Sequence, residues 1–323
     1  MEYRTLTGTG AKVSRLCLGT MTFGAQVDEA DSIAMARRAL DGGVNFVDTA
    51  DVYNGGASEE IVGKALKGRR DGVVLASKVR GRAGEHEHKD VGLHRWHIVR
   101  GVEASLKRLD VECLDICYFH MPDYDTPLEE SLAAADQLVR QGKVIYFGMS
   151  NFAAWQATRA IWLSERNRFL PPVVTQVVYN LLTRGIEQEF LPACRELRLG
   201  VAVYNPLAGG FLTGKHDPTK PPSEGTRFRL NQMYHGRYWK ESNFDAVADL
   251  LEIARQAGKT PVQLALQWIA AQPAGDSMIV GASRVEQLVE NLAALDGTLS
   301  AETLAACDRV WEGIRGDRFQ YNR

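Results

Sequence analysis

Residues 45–66 read NFVDTADVYNGGASEEIVGKAL, and this stretch contains the repeating unit of the fold. It begins with a short apolar run that ends at a polar residue, Asp48, as a buried strand of a parallel sheet does. A loop with two glycines follows, and the remaining residues place apolar side chains at helical spacing. The stretch therefore predicts a strand, a loop and a helix in that order.

The same order recurs along the whole chain. Strand-like apolar runs begin at residues 13, 45, 73, 113, 144, 173, 200 and 277, and each precedes a stretch with helical period. Eight such units predict an α/β fold with a closed (β/α)8 TIM barrel, because continuous apolar strands are typical of parallel sheets covered by helices. Two further helical stretches, 261–272 and 301–313, are expected as additions toward the C-terminus. A doubly wound sheet is the alternative, but no GxGxxG follows the first strand.

Length and composition agree with one barrel. All residues, 1–323, are assigned to a single domain, since no linker or low-complexity segment divides the chain. The net charge of -2 provides no field that would attract nucleic acid. The five cysteines have no metal-ligand spacing, so no metal is expected. The chain has neither an apolar run of membrane-helix length nor a secretory signal, and we expect a cytoplasmic protein without membrane contact.

Four polar side chains stand at or just beyond the ends of consecutive predicted strands. Asp48 ends the second strand with Tyr53 in the loop behind it, Lys78 ends the third strand, and His120 ends the fourth. Barrel enzymes carry their sites on this face. An ammonium beside a phenol makes the phenol a better proton donor, which suits carbonyl reduction. Asp48 would hold Lys78 in place, and His120 would donate a hydrogen bond to the carbonyl oxygen.

Taken singly, each of these residues also suits an ordinary structural role, but their surroundings resemble the three signature regions of the aldo-keto reductases. These are 45–66, LASKV at 75–79 and LDICYFHMPD at 114–123. The resemblance runs from residue 16 to the C-terminus and implies a (β/α)8 barrel that reduces aldehydes or ketones to alcohols. It also implies a catalytic tetrad of Asp48, Tyr53, Lys78 and His120, with Tyr53 as proton donor. Within the family, FHMPDYDTPLEESL at 119–132 and GRYWKESNFDAV at 236–247 resemble the aflatoxin aldehyde reductase branch.

The resemblance further implies NADP (NADPH) as cofactor, bound in extended form across the barrel mouth; a cofactor is needed because side chains cannot supply hydride. Gly209 and Gly210 would let the backbone approach a phosphate, and Arg284 at a helix start suits the 2′-phosphate of NADP. A phosphate-loop hydrolase is the alternative for 209–215, but His216 stands where that motif needs Ser or Thr. The implied cofactor positions are Thr20, Met21, Ser150, Asn151, Gln176, Tyr204, Asn205, Pro206, Leu207, Gly209, Gly210, Lys215, Arg227, Gly281, Ser283, Arg284, Gln287 and Asn291.

A long irregular stretch, 215–241, follows the seventh strand, and loops of this length are usually functional or disordered. By the resemblance, Tyr234, Arg237 and the terminal Arg323 contact the substrate. Two guanidinium groups would suit an aldehyde that carries a carboxylate, such as succinic semialdehyde. Solvated surface charge is an equal alternative for both arginines.

Other functions stay open at this point. The β-subunits of potassium channels resemble this family and bind NADP while acting mainly as partners of another protein. The local match to the aldehyde reductases and the absence of an added N-terminal segment favour the enzyme, and an alcohol-oxidising dehydrogenase is a further alternative. A homo-oligomer is possible, because Trp155 and Trp162 share a helix face that belongs either to the core or to an interface.

Overall fold

The computed structural model describes residues 1–82, 86, 89–273 and 275–316, and the predicted substrate residue Arg323 lies outside them. The strands are β1 (Tyr3–Thr5), β2 (Lys12–Ser14), β3 (Leu16–Gly19), β4 (Phe46–Asp48), β5 (Val74–Val79), β6 (Leu114–Phe119), β7 (Val144–Ser150), β8 (Val174–Val178), β9 (Gly200–Tyr204) and β10 (Ser277–Val280). β1 and β2 form an N-terminal hairpin, and the other eight strands of the described chain are parallel and close into a barrel in the order β10-β3-β4-β5-β6-β7-β8-β9. The predicted (β/α)8 barrel is therefore confirmed.

Helices follow the barrel strands along the chain, and local sequence explains where several of them begin. Asp28 accepts a hydrogen bond from the Asp31 amide ahead of the first helix, and Thr260 and Gln263 form a capping box around the start of the tenth. The helices are α1 (Glu29–Asp41), α2 (Ala57–Leu66), α3 (Arg95–Leu109), α4 (Leu128–Arg140), α5 (Ala154–Asn167), α6 (Phe190–Glu196), α7 (Arg227–Leu230), α8 (Gln232–Tyr238), α9 (Glu241–Gln256), α10 (Pro261–Ala271), α11 (Val285–Ala293) and α12 (Ala301–Arg315). The two predicted additional helices are α10 and α12.

The alternation of side chains along each strand decides which of them enter the barrel. Ala76 of β5 belongs to one buried cluster with Ile116 and Tyr118 of β6. Ser77 faces the opposite way, and Lys78 returns to the same inner face as Ala76 because side chains repeat every second residue. The apolar cluster thus fills the barrel interior and leaves Lys78 above it, toward the C-terminal ends of the strands.

The structure differs from the sequence prediction in two segments. The run that begins at residue 13 contains the end of the antiparallel hairpin, where Val13 pairs with Arg4, before β3 starts. The stretch 215–241, predicted to be irregular, contains α7 and α8, and their side chains Phe228, Tyr234 and Tyr238 are buried. Helices this short have too few turns to show a periodic apolar pattern.

Trp155 and Trp162 lie on the outer face of α5. They are 60% and 54% exposed, which excludes the core alternative for this pair. The buried side of the helix carries Ala157, Ala160 and Leu163 instead. An interface between copies of the chain stays a prediction.

The described residues form two compact units. We call the first the barrel unit; it lies within Met1–Val177, Ile186–Tyr204 and Ala274–Val289. The second unit lies within Val178–Gly185, Asn205–Pro273 and Glu290–Arg323, and an ion pair of 2.7 Å between Arg184 and Asp308 ties two of its segments together. The assignment to a single domain stays a prediction.

Among the described helices, none combines the length and the apolar character needed to cross a membrane.

Candidate active site

Asp48 and Lys78 are joined at the inner face of the barrel unit. The parallel register pairs Asp48 of β4 with Ala76 of β5, which places Lys78 one inward-facing position further along the neighbouring strand. Lys78 Nζ lies 2.6 Å from Asp48 Oδ2. Only 1% of Lys78 and 2% of Asp48 are exposed. A buried ion pair of this kind needs further hydrogen bonds to offset the loss of water around both charges.

Those further bonds are present around the ammonium. Lys78 Nζ donates to the main-chain oxygen of Thr49 at 2.7 Å and to the hydroxyl of Tyr53 at 3.2 Å. It also lies 4.8 Å from the centre of the Tyr53 ring. Because an ammonium has three N–H bonds, each of them has an acceptor in this arrangement. Asp48, Lys78 and Tyr53 therefore form one hydrogen-bonded chain.

The electrostatics of this chain keep the lysine charged. Burial opposes a charge on Lys78, but the Asp48 carboxylate and the Tyr53 hydroxyl outweigh it and raise the pKa of the ammonium above its usual value. Burial raises the pKa of Asp48, while the bonds from Lys78 and Gln176 oppose that rise. Gln176 Nε2 donates to Asp48 Oδ1 at 2.8 Å, so both carboxylate oxygens are bonded. Lys78 is consequently a positive charge beside the Tyr53 phenol at neutral pH.

The loop after β4 holds Tyr53 in place. Tyr53 begins a 3₁₀ helix in which Asn54 has a φ of 52°, a left-handed conformation that asparagine tolerates better than most residues. Asn54 Nδ2 donates to the main-chain oxygens of Met21 and Phe23 at 3.1 and 2.6 Å. These bonds tie the loop to the one that follows β3. Tyr53 is half-buried there, unlike the two charged residues behind it.

His120 follows β6 directly and faces Tyr53. The two rings meet edge to face with their centres 5.9 Å apart. The amide of His120 donates to the main-chain oxygen of Val79 at 3.0 Å, which fixes it beside the strand that carries Lys78. Burial lowers the pKa of the imidazole to about 3, and the charges of Lys78 and Arg80 add to that effect. His120 is therefore neutral, and the structure brings all four predicted tetrad residues together.

Several predicted cofactor residues of the barrel unit surround this group. Thr20 Oγ1 donates to the main-chain oxygen of Asp48 at 3.0 Å, and Ser150 is buried at the end of β7. Asn151 has a φ of 63°, and its Nδ2 donates to the main-chain oxygen of His120 at 2.9 Å. The hydroxyl of Tyr204 donates to Asn151 Oδ1 at 2.8 Å.

A second group of predicted cofactor residues lies at the start of α11. Ser283 donates through its amide and its hydroxyl to Gln287 Oε1, at 2.9 and 3.0 Å. Arg284 is exposed directly ahead of the helix, and Gly281 follows β10. This is the end of a helix where backbone amides and the helix dipole favour an anion. Asn291 is buried further along α11.

The remaining predicted residues belong to the second unit. Asn205 Oδ1 accepts from the amide of Gly209 at 2.6 Å, and Asn205 Nδ2 donates to the hydroxyl of Tyr238 at 2.8 Å. Tyr234 is buried, while Arg237 is only half-buried. Of the other cofactor positions here, Pro206 is buried, Leu207, Gly210 and Arg227 are half-buried, and Lys215 is exposed.

Sequence reasoning missed two contributors to the tetrad. The main-chain oxygen of Thr49 accepts from Lys78, and Gln176, assigned only to the cofactor, binds Asp48. A backbone acceptor leaves no signal in residue type, and the contact of Gln176 spans 128 positions of sequence.

Within the described part of the chain, no group of three or more His, Cys, Asp or Glu side chains has the geometry of a metal site.

Comparison with known proteins shows the family of this chain. Residues 15–312 match the family model described as Aldo/keto reductase family. The chain belongs to the aldo/keto reductase family. Members of this family generally use NAD(P)H, and the protein is an oxidoreductase that acts on carbonyl groups.

Relatives of this aldo/keto reductase carry several kinds of name. It is 38% identical to the uncharacterized oxidoreductase YrpG of Bacillus subtilis, over 98% of each chain. It is 36% identical to the aflatoxin B1 aldehyde reductase member 2 of mouse, over 95% of this chain and 87% of the mouse protein. It is also 39% identical to a probable voltage-gated potassium channel subunit beta of rice, over 92% of each chain. The predicted likeness to aflatoxin aldehyde reductases is confirmed.

Proposed function

We propose that this aldo/keto reductase uses NADPH to reduce aldehydes or ketones to alcohols, with Tyr53 as the proton donor. The observation that supports the proposal is the chain from Asp48 through Lys78 to the Tyr53 hydroxyl, with bonds of 2.6 and 3.2 Å. An alkoxide forms when a carbonyl carbon accepts hydride, so the enzyme must deliver a proton to that oxygen. The half-buried hydroxyl of Tyr53 is the group suited to do so.

Lys78 makes this proton transfer favourable. Loss of the proton leaves a phenolate on Tyr53, and the ammonium 3.2 Å away stabilises that negative charge. Asp48 keeps Lys78 charged and aimed at the phenol by the bond of 2.6 Å. The proton leaves the Tyr53 oxygen for the carbonyl oxygen, while Lys78 keeps its own proton because its pKa is raised.

His120 is proposed to orient the carbonyl oxygen. Its imidazole is neutral, so it has one N–H donor and carries no charge that would compete with Lys78. A donor placed where negative charge develops stabilises the transition state more than the ground state. The edge-to-face contact with Tyr53, 5.9 Å between ring centres, keeps both groups on the same side of the site.

The described residues suit a nicotinamide cofactor, which when bound supplies the hydride. Ser150, Asn151 and Gln176 provide a hydroxyl and two amides beside the tetrad, and such groups match a carboxamide. The ring of Tyr204 is half-buried and held by its bond to Asn151. The exposed guanidinium of Arg284 at the start of α11 suits a phosphate, which favours NADP over NAD. The cofactor positions in the second unit stay predictions.

The test is turnover of purified protein with NADPH, using succinic semialdehyde and 4-nitrobenzaldehyde in parallel. Wild type should consume NADPH with both aldehydes. Tyr53→Phe should bind NADPH with unchanged affinity, measured by fluorescence titration, and lose roughly a hundredfold or more in kcat, since general acids contribute about 10²–10⁴. Tyr146→Phe removes a tyrosine hydroxyl on β7 and serves as the matched control. Full turnover in Tyr53→Phe would exclude it as the proton donor.

For the substrate, we propose an aldehyde with a carboxylate at its far end. The support is the sequence resemblance to the aflatoxin aldehyde reductase branch, which assigns Tyr234, Arg237 and Arg323 to the substrate. Arg237→Ala should then raise KM for succinic semialdehyde about tenfold, and change KM for 4-nitrobenzaldehyde by less than about twofold, because a charged hydrogen bond contributes about 1.5–3 kcal/mol. Equal changes of KM for both aldehydes would show that Arg237 does not bind the carboxylate and is a solvated surface charge.

A second candidate function is that of an NADP-binding partner of another protein. The identity of 39% to a rice protein named as a probable channel β-subunit favours it. This function predicts tight NADPH binding without turnover on a broad panel of carbonyl compounds. Steady reduction of any of them at more than about one turnover per second, within the ordinary range of enzymes, would favour the reductase.

A further inference from the structure

Asp51 lies on the short loop between two tetrad residues, Asp48 and Tyr53, but its side chain takes no part in the hydrogen bonds of the tetrad. Its side chain is 2% exposed, and neither carboxylate oxygen has a hydrogen bond of normal geometry within the described residues. The amides of Val52 and Arg80 favour the ionised form of the Asp51 carboxyl, but burial opposes that form more strongly. A buried carboxylate without hydrogen bonds is costly in free energy, so the protonated form is favoured.

Among the described residues, the charged side chains that act on Asp51 are Glu59, which disfavours its ionisation, and Arg108, which favours it. Glu59 of α2 is fully buried, and its two oxygens are already bonded: one accepts from Ser77, and the other pairs with Arg108 of α3 at 2.6 Å. Cys117 of β6 also faces this space, and burial, Asp51 and Glu59 together raise the pKa of its thiol. Arg108 thus acts on two carboxyl groups, Glu59 and Asp51, and its ion pair is with Glu59.

Close packing accompanies the burial of Asp51 and Glu59, which are 2% and 0% exposed. Gly63 of α2 packs so tightly on the main chain of Leu109 in α3 that a Cβ there would collide with it. Gly81 packs in the same way on the side chain of Val52, next to Asp51. With Arg108 paired to Glu59, burial raises the pKa of Asp51 to about 7, and the charge of Glu59 adds to that rise.

We propose that Asp51 is a positioning residue, held as an uncharged carboxylic acid, and that its ionisation displaces the loop that carries Tyr53. The link to the tetrad is through the backbone. The Asp51 amide donates to the main-chain oxygen of Lys78 at 3.3 Å, and the Tyr53 amide donates to that of Ala50 at 3.1 Å. An ionised Asp51 competes with Glu59 for Arg108 or moves toward water, and either movement pulls on both bonds. The effect on turnover rests on the proposed function, whereas the protonation state does not.

Infrared difference spectroscopy across a pH titration tests the protonation state directly. Wild type should show the carbonyl band of a buried carboxylic acid in mildly acidic solution, and the band should disappear as the pH rises through about 7. Asp51→Asn, which keeps the shape of the side chain, should lack the band. Asp71→Asn, at an exposed aspartate, should keep it. A wild-type spectrum without this band, or a band that survives in Asp51→Asn, would overturn the proposal.

Unfolding gives a second measure that needs no enzyme activity. The folded-state pKa of Asp51 is above the unfolded value of about 3.9. The folded state therefore binds the proton more tightly, and the free energy of unfolding falls as the pH rises from about 4 to about 7. Asp51→Asn should gain stability relative to wild type across that window and keep the gain above it. A constant difference between the two proteins at all pH values would contradict the proposal.

The pH profile of kcat separates positioning from a merely structural role. Wild-type turnover should decline as the pH rises through about 7, and Asp51→Asn should lack that decline while keeping wild-type turnover in mildly acidic solution. Glu59→Gln removes the neighbouring charge and should move the decline to lower pH, because Asp51 then gains Arg108. Superimposable profiles for wild type and Asp51→Asn would refute the positioning role and leave the reductase function intact. If wild type reduces no carbonyl compound, the proposed function fails. The infrared and unfolding results then still show whether Asp51 is held as an uncharged carboxylic acid.

Discussion

Gln176 Nε2 donates a hydrogen bond of 2.8 Å to Asp48 Oδ1, from β8 to β4. Asp48 thus has one oxygen for the lysine and the other for the amide, and its carboxylate cannot rotate without losing a bond. The amide that the sequence assigns to the cofactor alone also supports the tetrad. The orientation of Lys78 toward Tyr53 therefore depends on Gln176 as well as on Asp48.

Gln176→Leu should leave one buried oxygen of Asp48 without a partner. Hydrogen bonds to charged groups contribute about 1.5–3 kcal/mol, so the free energy of unfolding in urea should fall by roughly that amount, and kcat should fall with it. Gln141→Leu, at an exposed position after α4, should leave both unchanged. Unchanged stability of Gln176→Leu would mean that this bond adds nothing to the folded state.

His120 should stay neutral throughout the acid range of the enzyme. Its folded-state pKa of about 3 is below the unfolded value of about 6.5, so the unfolded chain binds more protons between these values. The free energy of unfolding should consequently decrease as the pH falls from about 6.5 toward 3. His120→Asn should lose part of that acid sensitivity and, lacking the imidazole N–H, most of its kcat. An imidazole signal that titrates near its ordinary pKa in NMR would contradict this account.

Arg284→Ala should weaken NADPH binding more than NADH binding. The 2′-phosphate is the difference between the cofactors, and a charged hydrogen bond of about 1.5–3 kcal/mol corresponds to roughly a tenfold to hundredfold increase in Kd. Fluorescence titration measures both Kd values, with Arg309→Ala on the exposed face of α12 as control. An equal loss of affinity for both cofactors would show that Arg284 does not bind the 2′-phosphate.

Gly209→Ala should destabilise the second unit. Gly209 has a φ of +69°, and an added Cβ would lie 2.7 Å from Tyr234 Cδ1. The left-handed conformation alone costs a non-glycine residue about 1–2 kcal/mol. Gly236→Ala in α8 meets no atom within 4 Å and should instead stabilise by up to about 1 kcal/mol. Calorimetric unfolding of both variants distinguishes the two effects. Equal shifts of Tm would show that alanine introduces no strain at position 209.

Most of the fold could be predicted because short apolar runs alternate with longer stretches of helical period along the chain. The eight barrel strands and helices such as α3 and α9 occur in the predicted order. The hairpin β1–β2 and the short helices α7 and α8 were not predicted. The hairpin strands β1 and β2 have three largely polar residues each, and α7 and α8 have four and seven residues, too few turns for a clear helical period. Both helices bury aromatic side chains, Phe228, Tyr234 and Tyr238, which is a tertiary effect.

The sequence predicted that the four tetrad residues lie together, but not the contacts that surround them. Asp48, Tyr53, Lys78 and His120 come from neighbouring strand ends, and parallel strands bring such ends together. The sequence does not show that Asp51, two residues before Tyr53, faces a buried glutamate instead of solvent. That depends on which way the loop turns, and loop conformation is set by packing with α2 and α3.

The ammonium of Lys78, with an acceptor on every N–H bond, has a chemical consequence for the proposed reduction of aldehydes. Aldehydes condense with free amines, and only an unprotonated nitrogen with an available lone pair reacts. Lys78 keeps its proton, has an acceptor on each N–H bond and is shielded from water. Exposed lysines such as Lys67 and Lys240 should be modified in a solution of reactive aldehyde, while Lys78 should not. In the proposed reaction, the arrangement that supports proton transfer therefore also protects the enzyme from an aldehyde substrate.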